Sequence, residues 1–322
     1  MKAKSQDLMA GKGQKLTSRI ITGVMVGVVV SVLFFLWGDV REVKDVIFSI
    51  SWYTYVLAVV TTLASYFVRF FKWQFFLQVL GIKVPWKESL NIHFIGLSMS
   101  ITPGKLGELL KSYLLKNTAG VEMARSAPAV FTDRLTDLFA MLCLVGVGIS
   151  LFAFGKLAFF IVLGGLLLIT LVLQSKGISL RVIDWLARLP FLTKHKGSML
   201  TLYESTFELL RWKPLLFATV LSVIAWFMEC ISLYVLIVNL DLGLTLTHVV
   251  FIFSLGTVAG ALSMLPGGLG IAEGSMTGMF MYFGLAKGTA VSITLLIRLV
   301  TLWLGVLIGI VIFFLKRKVY MR

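Results

Sequence analysis

Apolar runs of roughly 20 residues recur along almost the whole chain, and that is the length of helix needed to cross a hydrocarbon core about 30 Å thick. A segment inside a bilayer must satisfy its own backbone hydrogen bonds, so spans of this kind fold as helices. Composition agrees. Of 322 residues, 58% are hydrophobic and only 14% are charged, against about a quarter charged in an average soluble domain. The mean hydropathy is +0.96. No long polar block separates off a soluble domain. The expectation is one all-α, polytopic membrane domain over residues 1–322.

Six full transmembrane helices are predicted, at 20–37, 51–80, 127–154, 157–174, 214–239 and 288–315. Lys2, Lys4, Lys12, Lys15 and Arg19 precede the first, and no small-x-small cleavage site follows it. It therefore reads as a retained span with a cytoplasmic N-terminus. The second carries Arg69, Lys72 and Trp73 toward its end, which reads as an interfacial anchor. Segments 89–116 and 247–284 are broken by Pro103-Gly104 and Pro266-Gly267. Each is predicted to enter and leave by one face as a re-entrant hairpin. Residues 176–213 hold seven Lys/Arg against three acids and read as a cytoplasmic loop with amphipathic helices on the membrane. The chain ends on Lys316-Arg317-Lys318, also expected inside.

The net charge of +15 fits positively charged cytoplasmic loops and attraction to anionic headgroups. Its scatter between apolar spans excludes a nucleic-acid surface. Cys143 and Cys230 both fall inside apolar segments and read as small packing residues. His93, His195 and His248 lack metal-ligand spacing, so no metal or cofactor is expected.

The two broken segments match each other. Ser100-Ile-Thr-Pro-Gly-Lys-Leu-Gly-Glu-Leu-Leu110 and Ser263-Met-Leu-Pro-Gly-Gly-Leu-Gly-Ile-Ala-Glu273 share Pro-Gly-x-Leu-Gly followed by a glutamate, with prolines 163 positions apart. Downstream, Arg134-Leu-Thr-Asp-Leu138 resembles Arg298-Leu-Val-Thr-Leu302, 164 positions apart. The chain then divides into an N-terminal tail and first span (1–50), repeat half one (51–154), a connecting span with the basic loop (155–213), and repeat half two with the basic C-terminus (214–322). Three full spans between the hairpins place them on opposite sides of the membrane, which makes an inverted-topology repeat. Gly/Pro-interrupted segments in matching positions of two such halves point to a substrate site near the midplane.

The candidate site follows. Pro103, Gly104, Gly107, Pro266, Gly267, Gly268 and Gly270 form the hairpin turns, where small residues permit tight turns and close approach. Lys105 stands at the first turn; its counterpart Gly268 is uncharged. Arg134 and Arg298 lie inside apolar spans, where a central arginine costs at least about 2.5–3.5 kcal/mol and is paired or faces water. Arg134 can pair with Glu108, Asp133 or Asp137, and Arg298 with Glu273 or Glu229. Such pairs either lock hairpin to span or form a polar path for a charged headgroup, because arginine suits bidentate phosphate binding. Lys105, Glu108, Arg134, Asp137, Glu273 and Arg298 are the predicted lipid-binding residues. No Gly-x-Ser-x-Gly elbow and no convergent catalytic set is present, so no catalytic residue is assigned.

At Pro103-Gly-Lys-Leu-Gly-Glu108, Arg134-Leu-x-x-Leu138 and Leu265-Pro-Gly-Gly-Leu-Gly-Ile-Ala-Glu273 the sequence resembles the lysylphosphatidylglycerol synthase transmembrane region family. This is the flippase-like membrane domain of bacterial aminoacyl-phosphatidylglycerol synthases, found also as stand-alone proteins. The resemblance implies a bacterial or archaeal cytoplasmic membrane, both termini in the cytoplasm, and translocation of an anionic phospholipid or lipid-linked headgroup between leaflets. The soluble aminoacyl-transferase domain of full synthases has no counterpart before Arg322, so the lipid-moving part is expected rather than aminoacyl transfer. The alternatives are a non-catalytic protein presenting lipid to a separate lipid-modifying enzyme, or an enzyme acting on a lipid headgroup.

Overall fold

The structure, a computed structural model, describes residues 22–102, 107–149, 156–188, 193 and 196–320. The basic residues before Ile20 therefore lie outside the described residues. Among those described, the regular structure is all helix: α1 (Thr22–Trp37), α2 (Val40–Ser49), α3 (Trp52–Val79), α4 (Trp86–Leu97), α5 (Leu110–Ala119), α6 (Met123–Ile149), α7 (Lys156–Gln174), α8 (Lys176–Leu186), α9 (Lys196–Leu210), α10 (Trp212–Asn239), α11 (Leu246–Leu262), α12 (Ile271–Tyr282), α13 (Lys287–Arg298) and α14 (Leu304–Tyr320). A π-helical turn, Leu299–Trp303, joins α13 to α14.

Four helical segments are long and apolar enough to cross a membrane: α3, α7, α10 and Lys287–Lys316. The pair α1 and α2, bent by 99°, raises the number to five if taken as one span. α6 has 27 residues, about 40 Å of helix, but Asp133, Arg134 and Asp137 interrupt its apolar character.

α3 and α10 form the centre. The Ser51 amide donates to Asn239 Oδ1 at 3.1 Å, the Thr62 and Ser232 hydroxyls meet at 3.0 Å, and Lys72 Nζ donates to Ser222 Oγ at 2.7 Å. The Phe75 and Phe217 rings lie 4.7 Å apart. One residue number falls as the other rises, so the helices run antiparallel over their whole length. They are also equivalent at a constant offset of 160. Each has 28 residues and begins on a tryptophan, Trp52 or Trp212. Their C-terminal caps repeat bond for bond. Leu80 and Leu240 amides donate to Phe76 and Leu236 carbonyls, Gly81 and Asp241 to Gln78 and Val238, and Ile82 and Leu242 to Leu77 and Ile237. This is the helix-ending pattern that needs a left-handed residue, met by Gly81 (φ 68°) and Asp241 (φ 49°).

The remaining helices follow the same exchange. α4 packs on α14, and α11 packs on α6. Both contacts rest on a glycine. A Cβ on Gly309 would stand 2.5 Å from the Phe94 carbonyl, and one on Gly148 would stand 2.6 Å from Phe251 Cβ. Two large apolar cores result, one around α4 and α5, the other around α11 and α12, with a small third where Ile50, Leu236 and Leu296 meet.

Two expectations are corrected. Arg69, Lys72 and Trp73 are not interfacial: they are 7%, 0% and 0% exposed. Arg69 is the eighteenth of the 28 residues of α3, and the helix continues apolar beyond it. Cys143 is exposed rather than packed, while Cys230 is buried. In the basic loop, α8 exposes Ile178, Val182 and Trp185, as a surface helix does. α9 instead docks on α6, where Arg125 binds Glu208 at 2.9 Å and the Leu80 carbonyl at 2.8 Å.

Candidate functional site

Helical spacing sets the site. Asp133 and Asp137 are four apart on α6, and Arg69 follows Ser65 by four and precedes Lys72 by three on α3, so each set shares a face. α3 and α6 bring the two faces together. Lys72 Nζ lies 2.7 Å from both Asp133 Oδ1 and Asp137 Oδ1. Arg69 donates to Asp137 at 3.3 Å and to Glu229 of α10 at 2.8 Å. Arg134 reaches Asp133 at 2.6 Å, Glu108 at 3.1 Å and Asp137 at 3.1 Å. Lys111 Nζ sits 3.7 Å from Asp133 and 4.5 Å from the Trp73 ring centroid. Ions this deeply buried persist only when paired and hydrogen-bonded, and every carboxylate here meets at least one cation.

Arg298 and Glu273 have a simpler arrangement. Arg298 Nε donates to Glu273 Oε1 at 2.6 Å and its Nη2 to the Gly267 carbonyl at 2.6 Å. The other Glu273 oxygen accepts the Gly270 amide at 2.6 Å, closing the N-terminus of α12. Between these anchors the backbone is tightly turned: Gly267, Gly268 and Gly270 have φ of 61°, 67° and 86°, and Met264 has φ 56°. A Cβ at Gly268 would meet the Gly260 backbone at 2.9 Å, so glycine is required there twice over.

The predicted site residues therefore gather as two groups. Glu108, Arg134 and Asp137 form one, and Glu273 and Arg298 the other. Gly107 donates its amide to Thr102 Oγ1 at 2.9 Å. Pro266, Gly267 and Gly268 form a single 3-10 turn. Pro103, Gly104 and Lys105 lie outside the described residues. Glu229, a candidate partner for Arg298, binds Arg69 instead. Sequence reasoning missed Arg69 and Lys72 as site residues. Their signal was the offset of 160, which maps Arg69 onto Glu229.

Both groups open on one cavity of about 350 Å3. Arg69, Arg134, Asp137, Glu229 and Arg298 line it, with Trp226, Phe253, Met141 and Leu302 supplying apolar wall. At its rim, Leu262, Met264 and Leu265 are 51%, 68% and 45% exposed, an apolar mouth on the outside of the helical body.

Fold and site together define a multi-pass, all-helical membrane protein with an ion-paired cavity inside its helical body. The chain belongs to the lysylphosphatidylglycerol synthase transmembrane region family, whose match covers residues 24–309. It is similar to a UPF0104 membrane protein of Methanothermobacter thermautotrophicus, 25% identical over 85% of this chain and 86% of that one. A UPF0104 membrane protein of Pyrococcus horikoshii is 24% identical over 92% and 96%, and one of Methanocaldococcus jannaschii 23% identical over 68% and 94%.

Proposed function

We propose that this protein is a lipid transporter that carries the headgroup of an anionic phospholipid or lipid-linked compound between leaflets. The observation that carries the reading is the cavity: Arg134 and Arg298 stand on one space within the helical body whose rim is apolar and exposed. A headgroup entering sideways from one leaflet exchanges hydration for guanidinium contacts, while its acyl chains stay against the apolar rim. The division into two inverted halves, with the loops after α3 and α10 on opposite membrane faces, belongs to the same proposal. So does residence in the cytoplasmic membrane with both termini inside. Inverted halves supply two related conformations through which one central site alternates.

The test is reconstitution in liposomes carrying fluorescently labelled phosphatidylglycerol in one leaflet. Protein-dependent transfer to the other leaflet is expected, lost in Arg134→Ala and Arg298→Ala variants that still purify folded. Absence of transfer for every anionic lipid tried removes the reading.

A further inference from the structure

The segments that lead into the two Pro-Gly turns match at an offset of 163, yet they are covered differently. Leu262, Met264 and Leu265 form the open rim of the cavity, and Met264 is 68% exposed. Their counterparts Met99, Ile101 and Thr102 are buried, and Ile101 is 0% exposed. The covered segment borders the same cavity. Its neighbours Leu97 and Ser100 line the space, and a Cβ on Gly267 would stand 3.6 Å from Ile101 Cα.

The cover over Ile101 is α1. A Cβ on Gly23 would stand 2.9 Å from Ile101 Cδ1 and 3.1 Å from its carbonyl oxygen. One turn later, a Cβ on Gly27 would run into the Trp303 ring and stand 3.2 Å from Leu269 Cδ1. Residues four apart share a helix face, and this Gly-x-x-x-Gly face lets α1 lie close over Ile101 on one side and over Trp303 and Leu269 on the other. Trp303 ends the π-helical turn after Arg298, where the Thr301 carbonyl accepts from Tyr66 Oη at 2.9 Å. The far end of α1 is anchored. The chain bends by 99° into α2, and Glu42 of α2 accepts the Thr289 amide of α13 at 3.2 Å. One end of α1 is thus tied through a charged acceptor, and the other rests on apolar side chains.

We propose that α1 is a strap over a second lateral portal, and that lifting its N-terminal end from Ile101 lets lipid acyl chains pass there as they do at Met264. The inference rests on the transporter reading, in which one cavity is reached from both leaflets and so needs two openings. The inverted halves of that reading make the Ile101 segment the counterpart of the open rim, facing the other leaflet. Apolar contacts suit a strap that opens into lipid, because acyl chains are as apolar as the side chains it leaves.

The experiment is thiol labelling of the full chain in nanodiscs by lipid-soluble N-phenylmaleimide, with Cys143→Ser and Cys230→Ala as background. Met264→Cys is expected to react fast and Ile101→Cys slowly. Gly27→Ala sets a methyl against Trp303 and should speed labelling of Ile101→Cys about tenfold, the shift that about 1.4 kcal/mol of overpacking produces. Met264→Cys keeps its rate in the Gly27→Ala protein, which marks the change as local. Ile101→Cys reacting as fast as Met264→Cys with Gly27 in place, or at a rate that Gly27→Ala does not change, overturns the proposal. A second variant does not depend on Gly27→Ala folding. A disulfide between Gly23→Cys and Ile101→Cys should stop liposome transfer of labelled phosphatidylglycerol, and reduction should restore it. Transfer by the oxidised form at the reduced form's rate overturns the strap and leaves the transporter reading standing. Gly27-dependent labelling of Ile101→Cys without transfer by any form supports the strap and removes only the transporter reading.

Discussion

Arg298 holds both ends of one turn, with Gly267 on one side and, through Glu273, Gly270 on the other. Removing it strands a buried carboxylate, and breaking a buried pair from one side costs about 3–5 kcal/mol. Arg298→Ala is therefore expected to lower the unfolding midpoint and stop lipid transfer together. The double variant Glu273→Ala/Arg298→Ala removes the stranded charge; it should regain much of the stability while remaining inactive. Thermal unfolding and transfer measured on the same preparations separate the two effects. Tyr66→Phe leaves the Thr301 carbonyl without its donor at the π-helical turn, and should destabilise by about 1–3 kcal/mol.

At the scale of elements, the contacts between halves depend on how closely helices approach. Gly309→Ala places a methyl against the Phe94 carbonyl and Ser98 amide, backbone atoms that cannot turn aside, so α4 and α14 must separate. Gly164→Ala on α7 meets nothing within 4 Å and should gain up to about 1 kcal/mol from helix propensity. Thermal melts of the two variants should thus move in opposite directions. The sequence made part of this legible. Pro266-Gly267 marked the turn before α12, and charge inside apolar runs marked Arg134 and Arg298. Arg69 and Lys72 escaped because a cation in the second half of an apolar run looks the same whether it snorkels to the surface or turns inward. What distinguishes the cases is the partner helix, and Glu229 and Ser222 are 160 and 150 residues further on.

For the molecule as a whole, the antiparallel pairing of α3 and α10 puts the loops that follow them at opposite ends of the bundle. A thiol-reactive, membrane-impermeant label should reach Lys83→Cys from one side of oriented vesicles and Thr245→Cys from the other; labelling of both from one side removes the inverted arrangement. The ion-paired cluster has a consequence of another kind. Among the described residues, five cations (Arg69, Lys72, Lys111, Arg134, Arg298) face five carboxylates (Glu108, Asp133, Asp137, Glu229, Glu273). A rearrangement that moves them together shifts no net charge through the membrane field, where each unit charge crossing 100 mV represents about 2.3 kcal/mol. On the proposed role, these described pairs reset without electrical work and the headgroup brings the charge that moves. A potassium diffusion potential imposed on the vesicles should change the transfer rate of an anionic lipid and leave that of a zwitterionic one unaltered. The voltage would act as a motor on the cargo while the carrier stays electrically silent.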